Sequence, residues 1–349
     1  MRFLHTADLH LGRSFPYVRD ADRETGRKDR FLTFRRILSL GKRREIDYLF
    51  LVGDIFEQDM IRREEVDYVL STLGEMPFVT LLLLGNHDYK LYEYVENRLN
   101  DRVQLFSRDE LTTFYDDERK VAFHGISWNR ESYHRILQYE GADMSDGYRH
   151  VLLHHGNWTG GDGYFPVDAN ILPYFDYIAL GHVHKPILYE NKLQMCGTPE
   201  PLDHTDRGRL GVVFGELGET LSTEYIPLAR RSLRHKTLHI DDGRSEDVLA
   251  SIRETLDDAS SIYSFYVTGT YSGILDAEMR RFLDAQDVLY RLEWAQDLPK
   301  MIEKVERAHA DDALGAFIRR ARSYDVDEET RLKICDLGIR ALLGEDYDS

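Results

Sequence analysis

Val79-Thr80-Leu81-Leu82-Leu83-Leu84-Gly85-Asn86-His87-Asp88 is the stretch on which the reading of this chain turns. The run Val79–Leu84 is almost wholly apolar. It is far shorter than the roughly 20 residues of a membrane-spanning helix, and it reads as a strand buried on both faces, as in a parallel sheet. Gly85 permits a sharp turn. Three side chains that can bind a metal ion or move a proton, Asn86, His87 and Asp88, then follow at the strand's carboxyl end. Open α/β sheets place their chemistry at that edge.

The pattern recurs along the chain. Phe3–Ala7 leads into Asp8-Leu9-His10, Tyr48–Val52 into Gly53-Asp54, His150–Leu153 into His154-His155-Gly156-Asn157, and Tyr177–Leu180 into Gly181-His182-Val183-His184. Singly, each polar group has an ordinary reading as a turn residue, a cap or a buried core histidine. Together, strand ends that repeatedly carry metal ligands point to one composite site.

The 349 residues suffice for two domains with a sizeable core. No apolar run approaches a membrane span, and the N-terminus enters a strand without the basic segment and apolar stretch of an export signal. Cys196 and Cys335 are the only cysteines; they offer no disulfide framework and no zinc-finger spacing, which fits a reducing cytoplasm. The net charge is −17. Residues 237–349 hold 14 Lys and Arg against 25 Asp and Glu, a net of −11, which leaves −6 for residues 1–236. Such a chain does not hold nucleic acid through a basic surface of its own; bound divalent cations reverse the sign locally, and a basic partner can add affinity.

Residues 1–120 alternate strand and helix: a charged loop from Arg13 to Arg30, a helix carrying Phe31, Phe34, Ile37 and Leu38, strand 47–52, helix 62–73, strand 79–84 and helix 88–99. From about 103 short strands dominate, and two sheets packed face to face are expected. The loops 125–149 and 156–174 are long. Glu190-Asn191-Lys192 and Leu217-Gly218-Glu219 read as hairpin turns. A boundary falls near the basic stretch 227–237. The expected layout is a catalytic domain over 1–230, a small α+β capping domain over 237–295, and amphipathic helices at 300–322 and 328–343. Ile302, Val305, Leu314, Phe317 and Ile318 mark the apolar face of the first of these helices, and Leu332, Ile334, Leu337, Ile339 and Leu342 that of the second.

Asp8 and His10 lie two apart at a strand end and so point to one side, as do His182 and His184. Asp54 offers two oxygens and suits a bridge between two ions. Asn86 adds an amide oxygen and His154 an imidazole; His155 is the alternative, and His154 is preferred because it directly follows the strand. One ion would be saturated by at most six ligands, whereas two ions sharing Asp54 use all seven and leave room for water. A nitrogen and oxygen set without thiolate suits manganese, iron or zinc. Two ions about 3.5–4 Å apart clamp a phosphate for in-line attack by a bridging hydroxide. His87 is then placed as general acid to the leaving oxygen, with Asp88 holding its ring. His5, His124, His204, His235 and His239 read as structural.

Asp8-Leu9-His10, Gly53-Asp54, Gly85-Asn86-His87-Asp88, His154 and Gly181-His182-Val183-His184 together resemble the five-part signature of calcineurin-like metallophosphoesterases. His5–Gly12, Gly53-Asp54-Ile55-Phe56, Ala179–Lys185 and Gly197-Thr198-Pro199-Glu200-Pro201-Leu202-Asp203 further resemble the SbcD-type DNA double-strand-break repair nucleases. The resemblance implies an α/β fold, a four-layer αββα sandwich with a small cap, and two Mn²⁺ ions (Fe²⁺ or Zn²⁺ in their place). It assigns Asp8, His10, Asp54 and His184 to one ion, and Asp54, Asn86, His154 and His182 to the other, with His87 catalytic. It implies exonuclease and endonuclease action on DNA ends or hairpins, a homodimer, and an SbcC-like coiled-coil ATPase as partner, docked on the C-terminal helices if these do not simply pack on the cap. Glu57 stands where Asp is common in that family, Tyr89-Lys90 where Pro is frequent, and His155 doubles the fourth motif. Two rival readings are a phosphatase or phosphodiesterase for a small nucleotide or phosphoester, and a non-catalytic scaffold for an ATPase. The length of the tail disfavours the first, and the full ligand set disfavours the second.

Overall fold

Alternation of side chains decides the layers. In β1 (Arg2–Thr6), β2 (Tyr48–Val52) and β3 (Val79–Leu83), Phe3, Phe50 and Leu81 point to one face while Leu4, Leu49 and Leu82 point to the other, and all six are buried. A strand apolar on both faces must be covered on both, and these three are. The computed structural model describes every residue except 16–17, 131–145, 159–163, 242–244, 271–272 and 344–349; the middle of loop 125–149 and part of loop 156–174 therefore lie outside the described residues.

The remaining strands of the first sheet are β4 (Val103–Leu105), β11 (Gly211–Leu217) and β12 (Leu221–Pro227). The order is β12-β11-β1-β2-β3-β4, parallel from β1 to β4 and antiparallel across β11 and β12. The second sheet joins β5 (Thr112–Asp116), β6 (Val121–Ile126), β7 (Arg149–His155), β8 (Tyr177–Gly181), β9 (Ile187–Tyr189) and β10 (Leu193–Met195) in the order β5-β6-β7-β8-β10-β9. The β6–β7–β8–β10 pairs are parallel. Both expected hairpin turns form; at Glu190 and Asn191 the backbone is left-handed, the geometry a tight hairpin requires.

Between the sheets Phe3, Phe50, Leu81 and Leu83 meet Phe123, Val151, Leu153 and Tyr177 in one core. The outer face of the first sheet packs on α1 (Arg23–Arg44) and α2 (Arg63–Gly74) through Phe34, Ile37, Val66 and Val69. The outer face of the second is covered by Trp128, Phe165, Ile171 and Phe175, the last two in and beside a 3-10 turn at Ala169–Tyr174. The fold is thus a mixed α/β sandwich. Two local expectations fail here. Helix 1 begins at Arg23, inside the stretch expected as loop. Helix 88–99 shrinks to a 3-10 turn, Tyr89–Leu91, and a single helical turn, α3 (Tyr92–Glu96), because Asp88 is engaged elsewhere instead of capping a longer helix.

The chain divides into two compact units, Met1–Leu233 and Arg234–Ser349. The second carries a three-stranded sheet of β13 (Leu233–Asp241), β14 (Ile262–Thr270) and β15 (Leu289–Gln296) with α4 (Ser245–Thr255) and α5 (Gly273–Ala285). The helix expected over 300–322 is two helices, α6 (Leu298–Ala308) and α7 (Ala313–Arg322), followed by α8 (Glu328–Leu343). Asp312 causes the break: its carboxylate accepts the N–H groups of Leu314 and Gly315 and starts a new helix. The three helices bury Ile302, Ile318, Cys335 and Ile339 among themselves.

His124 on β6 and His150 on β7 form a buried pair, Nε2 to Nδ1 at 3.0 Å, bounded by Thr113 Oγ1 at 2.9 Å and Asp146 Oδ1 at 3.1 Å. Burial first, and then the neighbouring His150, lower the pKa of His124 to about 4. Its folded value lies below its unfolded one, so this contribution to stability is present above about pH 6.5 and is lost as pH falls toward 4. Urea unfolding at pH 7 and pH 5 checks this. The wild type is expected to lose about 2 kcal/mol more than H124Q over that interval, from about 1.5 pH units at 1.36 kcal/mol each. Equal losses would show that His124 does not resist protonation.

Candidate metal centre

The strands end where the site begins. Backbone pairing continues past β1 and β2, with Asp8 N–H donating to Gly53 C=O at 3.1 Å and His10 N–H to Asp54 C=O at 3.0 Å. Asp8, His10, Asp54 and His182 all adopt left-handed backbone conformations, with φ of 52°, 43°, 52° and 90°. Non-glycine residues avoid that region unless the surroundings impose it, and such residues gather at functional sites. This corrects the strand-alternation argument: Asp8 with His10, and His182 with His184, do not converge as i and i+2 of an extended strand. Asp8 and His10 come together just beyond the strand, whereas His182 and His184 go to different groups of ligand atoms.

Ligand atoms of Asp8, His10 and His184 lie within 4.8 Å of one another, as do those of Asp54, His155 and His182. Asp54 joins the two groups, its Oδ2 standing 3.2 Å from His155 Nε2 and 3.8 Å from His10 Nε2. Asn86 Oδ1 lies 3.2 Å from the same His155 nitrogen. The histidine beside Asp54 and Asn86 is therefore His155, and the preference for His154 is corrected. Parity explains it. In β7 the odd residues Val151 and Leu153 face the inter-sheet core and the even Leu152 faces outward. His155 continues the inner row, while His154 points out, with Nε2 2.7 Å from Phe165 C=O. Val151, Leu152 and Leu153 are all apolar, so the sequence alone did not show which row faces inward.

Glycines make room for the cluster. A Cβ on Gly85 would collide with Asp54 Oδ1 and the His155 ring, and one on Gly181 with the Val52 carbonyl. Gly85 is thus required for close approach rather than for a left-handed turn.

Asp88 does not orient His87. It is fully buried, and its oxygens accept the N–H groups of Gly85 (2.6 Å), Ile55 (2.7 Å) and Phe56 (3.2 Å), so it ties two strand-end loops together. Burial raises its pKa to about 7. The carboxylate that holds His87 is Glu57, whose Oε1 lies 3.0 Å from His87 Nδ1 and whose Oε2 lies 3.1 Å from His10 Nδ1. In the sequence Glu57 stands out only as a departure from a family pattern, where Asp is common. His5 is a core histidine, with Nδ1 2.9 Å from the Tyr177 hydroxyl.

The electrostatics suit a cation. Burial raises the pKa of Asp8 to about 6, against the pull of His155 and His184. Burial likewise disfavours the Asp54 anion, yet His155 and His10 outweigh it and hold Asp54 far below the carboxylate range. Burial disfavours a charged His155 as well, but Asp54 prevails and raises it to about 9. Burial lowers His10 to about 4 and His182 to about 3, so both present neutral imidazole. Asp8 Oδ1 and His10 Nε2 are buried without a hydrogen-bond partner. Buried polar atoms of that kind call for a partner, and a carboxylate oxygen and a neutral imidazole nitrogen side by side fit a divalent ion.

Residues 1–186 match the family described as calcineurin-like phosphoesterase. The chain is 22% identical over 292 residues to the SbcD component of the nuclease SbcCD of Staphylococcus saprophyticus, covering 71% of this chain and 73% of that one. It is 23% identical over 231 residues to the DNA double-strand break repair protein Mre11 of Methanopyrus kandleri, covering 58% of this chain and 49% of that protein, so it spans about half the length of the latter. Among solved structures, a dimetal phosphatase from Danio rerio aligns at a TM-score of 0.40 and 12% identity, covering 64% of this chain and 98% of that one. No helix among the described residues is long and apolar enough to cross a membrane. With more than half its length matched, and with clusters that can hold metal ions at the matched strand ends, the chain belongs to the calcineurin-like phosphoesterase family, a family of metal-dependent phosphoester hydrolases.

Proposed function

We propose that this chain is a manganese-dependent DNA nuclease that hydrolyses phosphodiester bonds and works in DNA repair with an SbcC-like coiled-coil ATPase. The observation that carries the chemistry is Asp54, set between two ligand clusters. The choice of DNA is supported by the likeness to the SbcD component of SbcCD, which at 71% of the chain runs well past the matched residues 1–186. We assign Asp8, His10, Asp54 and His184 to one ion and Asp54, Asn86, His155 and His182 to the other. A cytoplasmic homodimer goes with this reading, as does a division into nuclease core, cap and ATPase-docking tail. Leu337 and Leu342, 47% and 55% exposed on α8, support the docking role.

Two divalent ions bound there supply Lewis-acid activation of water and positive charge for the phosphate. The chain supplies the rest. His87 has an open imidazole, its side chain 39% exposed against 33% for His184. Its hydrogen bond to Glu57, the largest influence on it, raises its pKa. With Nδ1–H held by Glu57, Nε2 is left to give a proton to the leaving oxygen. The buried Asp54 accepts the His87 backbone N–H at 2.8 Å and fixes where the ring stands. A phosphatase or phosphodiesterase for small esters would use the same residues, so the choice of substrate rests on experiment.

Metal analysis of purified protein should find two Mn²⁺ per chain, with H155A losing one or binding it about 10–100-fold more weakly, and H154A retaining both. The reverse pattern would return the ligand role to His154. On linear double-stranded DNA, with and without the ATPase, H87A should cut about 10²–10⁴-fold more slowly than wild type while keeping both ions. Turnover of a chromogenic phosphodiester but never of DNA, under either condition, would favour the small-ester reading.

A further inference from the structure

Asp206 lies beyond residues 1–186 and outside both ligand clusters, yet it is only 3% exposed. Its Oδ2 accepts the backbone N–H groups of Leu202 at 2.8 Å and Asp203 at 3.0 Å, and its own N–H donates to the Asp203 carbonyl at 3.2 Å. The turn thereby fixes the carboxylate, and those bonds leave Oδ1 free of any role in holding it. Oδ1 stands 3.4 Å from His184 Nδ1. The same segment is fastened to the metal centre at two further points. Thr198 N–H donates to the His184 carbonyl at 3.1 Å, and Thr198 Oγ1 lies 2.9 Å from the Asp8 carbonyl. Gly197, left-handed at φ +70°, lets the chain pass against His184, where a Cβ would stand 2.7 Å from the carbonyl oxygen.

We propose that Asp206 is a positioning residue for one ion: it holds the Nδ1–H of His184 and so presents Nε2 toward Asp8 and His10. This rests on the two-ion reading above. A neutral imidazole carries one proton, and whichever nitrogen carries it cannot ligate. A carboxylate at Nδ1 settles the tautomer, keeps the ring from turning and makes Nε2 a better donor. His184 needs this support, because it follows the end of β8 on a loop and its side chain is 33% exposed. Glu57 gives His10 the same support. The amide of D206N can keep an oxygen on the Leu202 and Asp203 N–H groups, but it then turns an N–H toward His184 Nδ1. That favours the tautomer protonated on Nε2, which blocks coordination.

Calorimetric titration of the metal-free full chain with Mn²⁺ tests this, together with its melting temperature. Wild type should bind two ions. D206N should weaken one of them about 10–100-fold, leave the other within about twofold and melt within about 2 °C of wild type, and D206E should recover part of the loss. Nitrogen-15 spectra of the metal-free wild type, taken at a pH where the His184 ring is neutral, should show its one proton on Nδ1, a readout that needs no variant. Unchanged affinities, both affinities falling together with the melting temperature, or an Nε2-protonated His184 would each overturn the proposal. A wild type that binds no pair of ions would sink the two-ion reading and this inference with it; two tight ions in D206N would sink the inference alone.

Discussion

A carboxylate with almost no access to water, placed between two imidazoles, is the constraint to which the rest of this structure answers. Unit charges 3.2 Å apart, the separation of Asp54 from His155, attract by roughly 5 kcal/mol at an effective dielectric of about 20. The effective penalty for burying each ion is also several kcal/mol. Burying two ions costs at least what their attraction returns, so the arrangement adds little to stability and is specified by its surroundings instead. Those surroundings are glycines that leave space at 53, 85 and 181, left-handed backbone at Asp8, His10, Asp54 and His182, and a sandwich core rigid enough to hold them.

The same constraint sorts the other carboxylates. Asp88 spends both oxygens on backbone N–H groups and locks the loops after β2 and β3 to each other. Glu57 spans two rings and fixes the orientation of His10 and His87 at once. Neither is among the seven expected ligands, yet both decide where those ligands can stand.

How far the sequence disclosed this follows from physics. Strands buried on both faces, such as Val79–Leu83, lie in a covered sheet, so that sheet was legible in its apolar run, and a second sheet packed on it in the short strands after residue 103. The polar residues at the strand ends marked the site. What stayed hidden depended on side-chain direction. His154 and His155 are adjacent, so the sequence motif admits either; the odd row Val151, Leu153, His155 decides between them. Adjacency in sequence suggested Asp88 as the partner of His87, whereas Glu57, to which no role had been given, reaches His87 across the gap between two strand ends. The break at Asp312 was missed because Ile302 with Val305, and Leu314 with Phe317 and Ile318, each keep helical spacing; at about 100° per residue the second set lies about 140° round from the first, the mark of two helices and not one.

Charge carries the argument one step further on the proposed reading. The chain bears −17, and the acidic excess is greatest after residue 236. A phosphodiester backbone meeting such a surface is repelled beyond short range, with screening over about 8 Å at physiological salt. Attraction must then be local. Arg13, whose Nη1 lies 3.4 Å from Glu57, is a cation at the rim of the centre, and within it two bound ions would supply the positive charge. A site built this way would discriminate by letting a phosphate reach the ions, not by gripping a length of duplex, and the proposed ATPase would then hold the duplex, with Leu337 and Leu342 of α8 exposed to meet it.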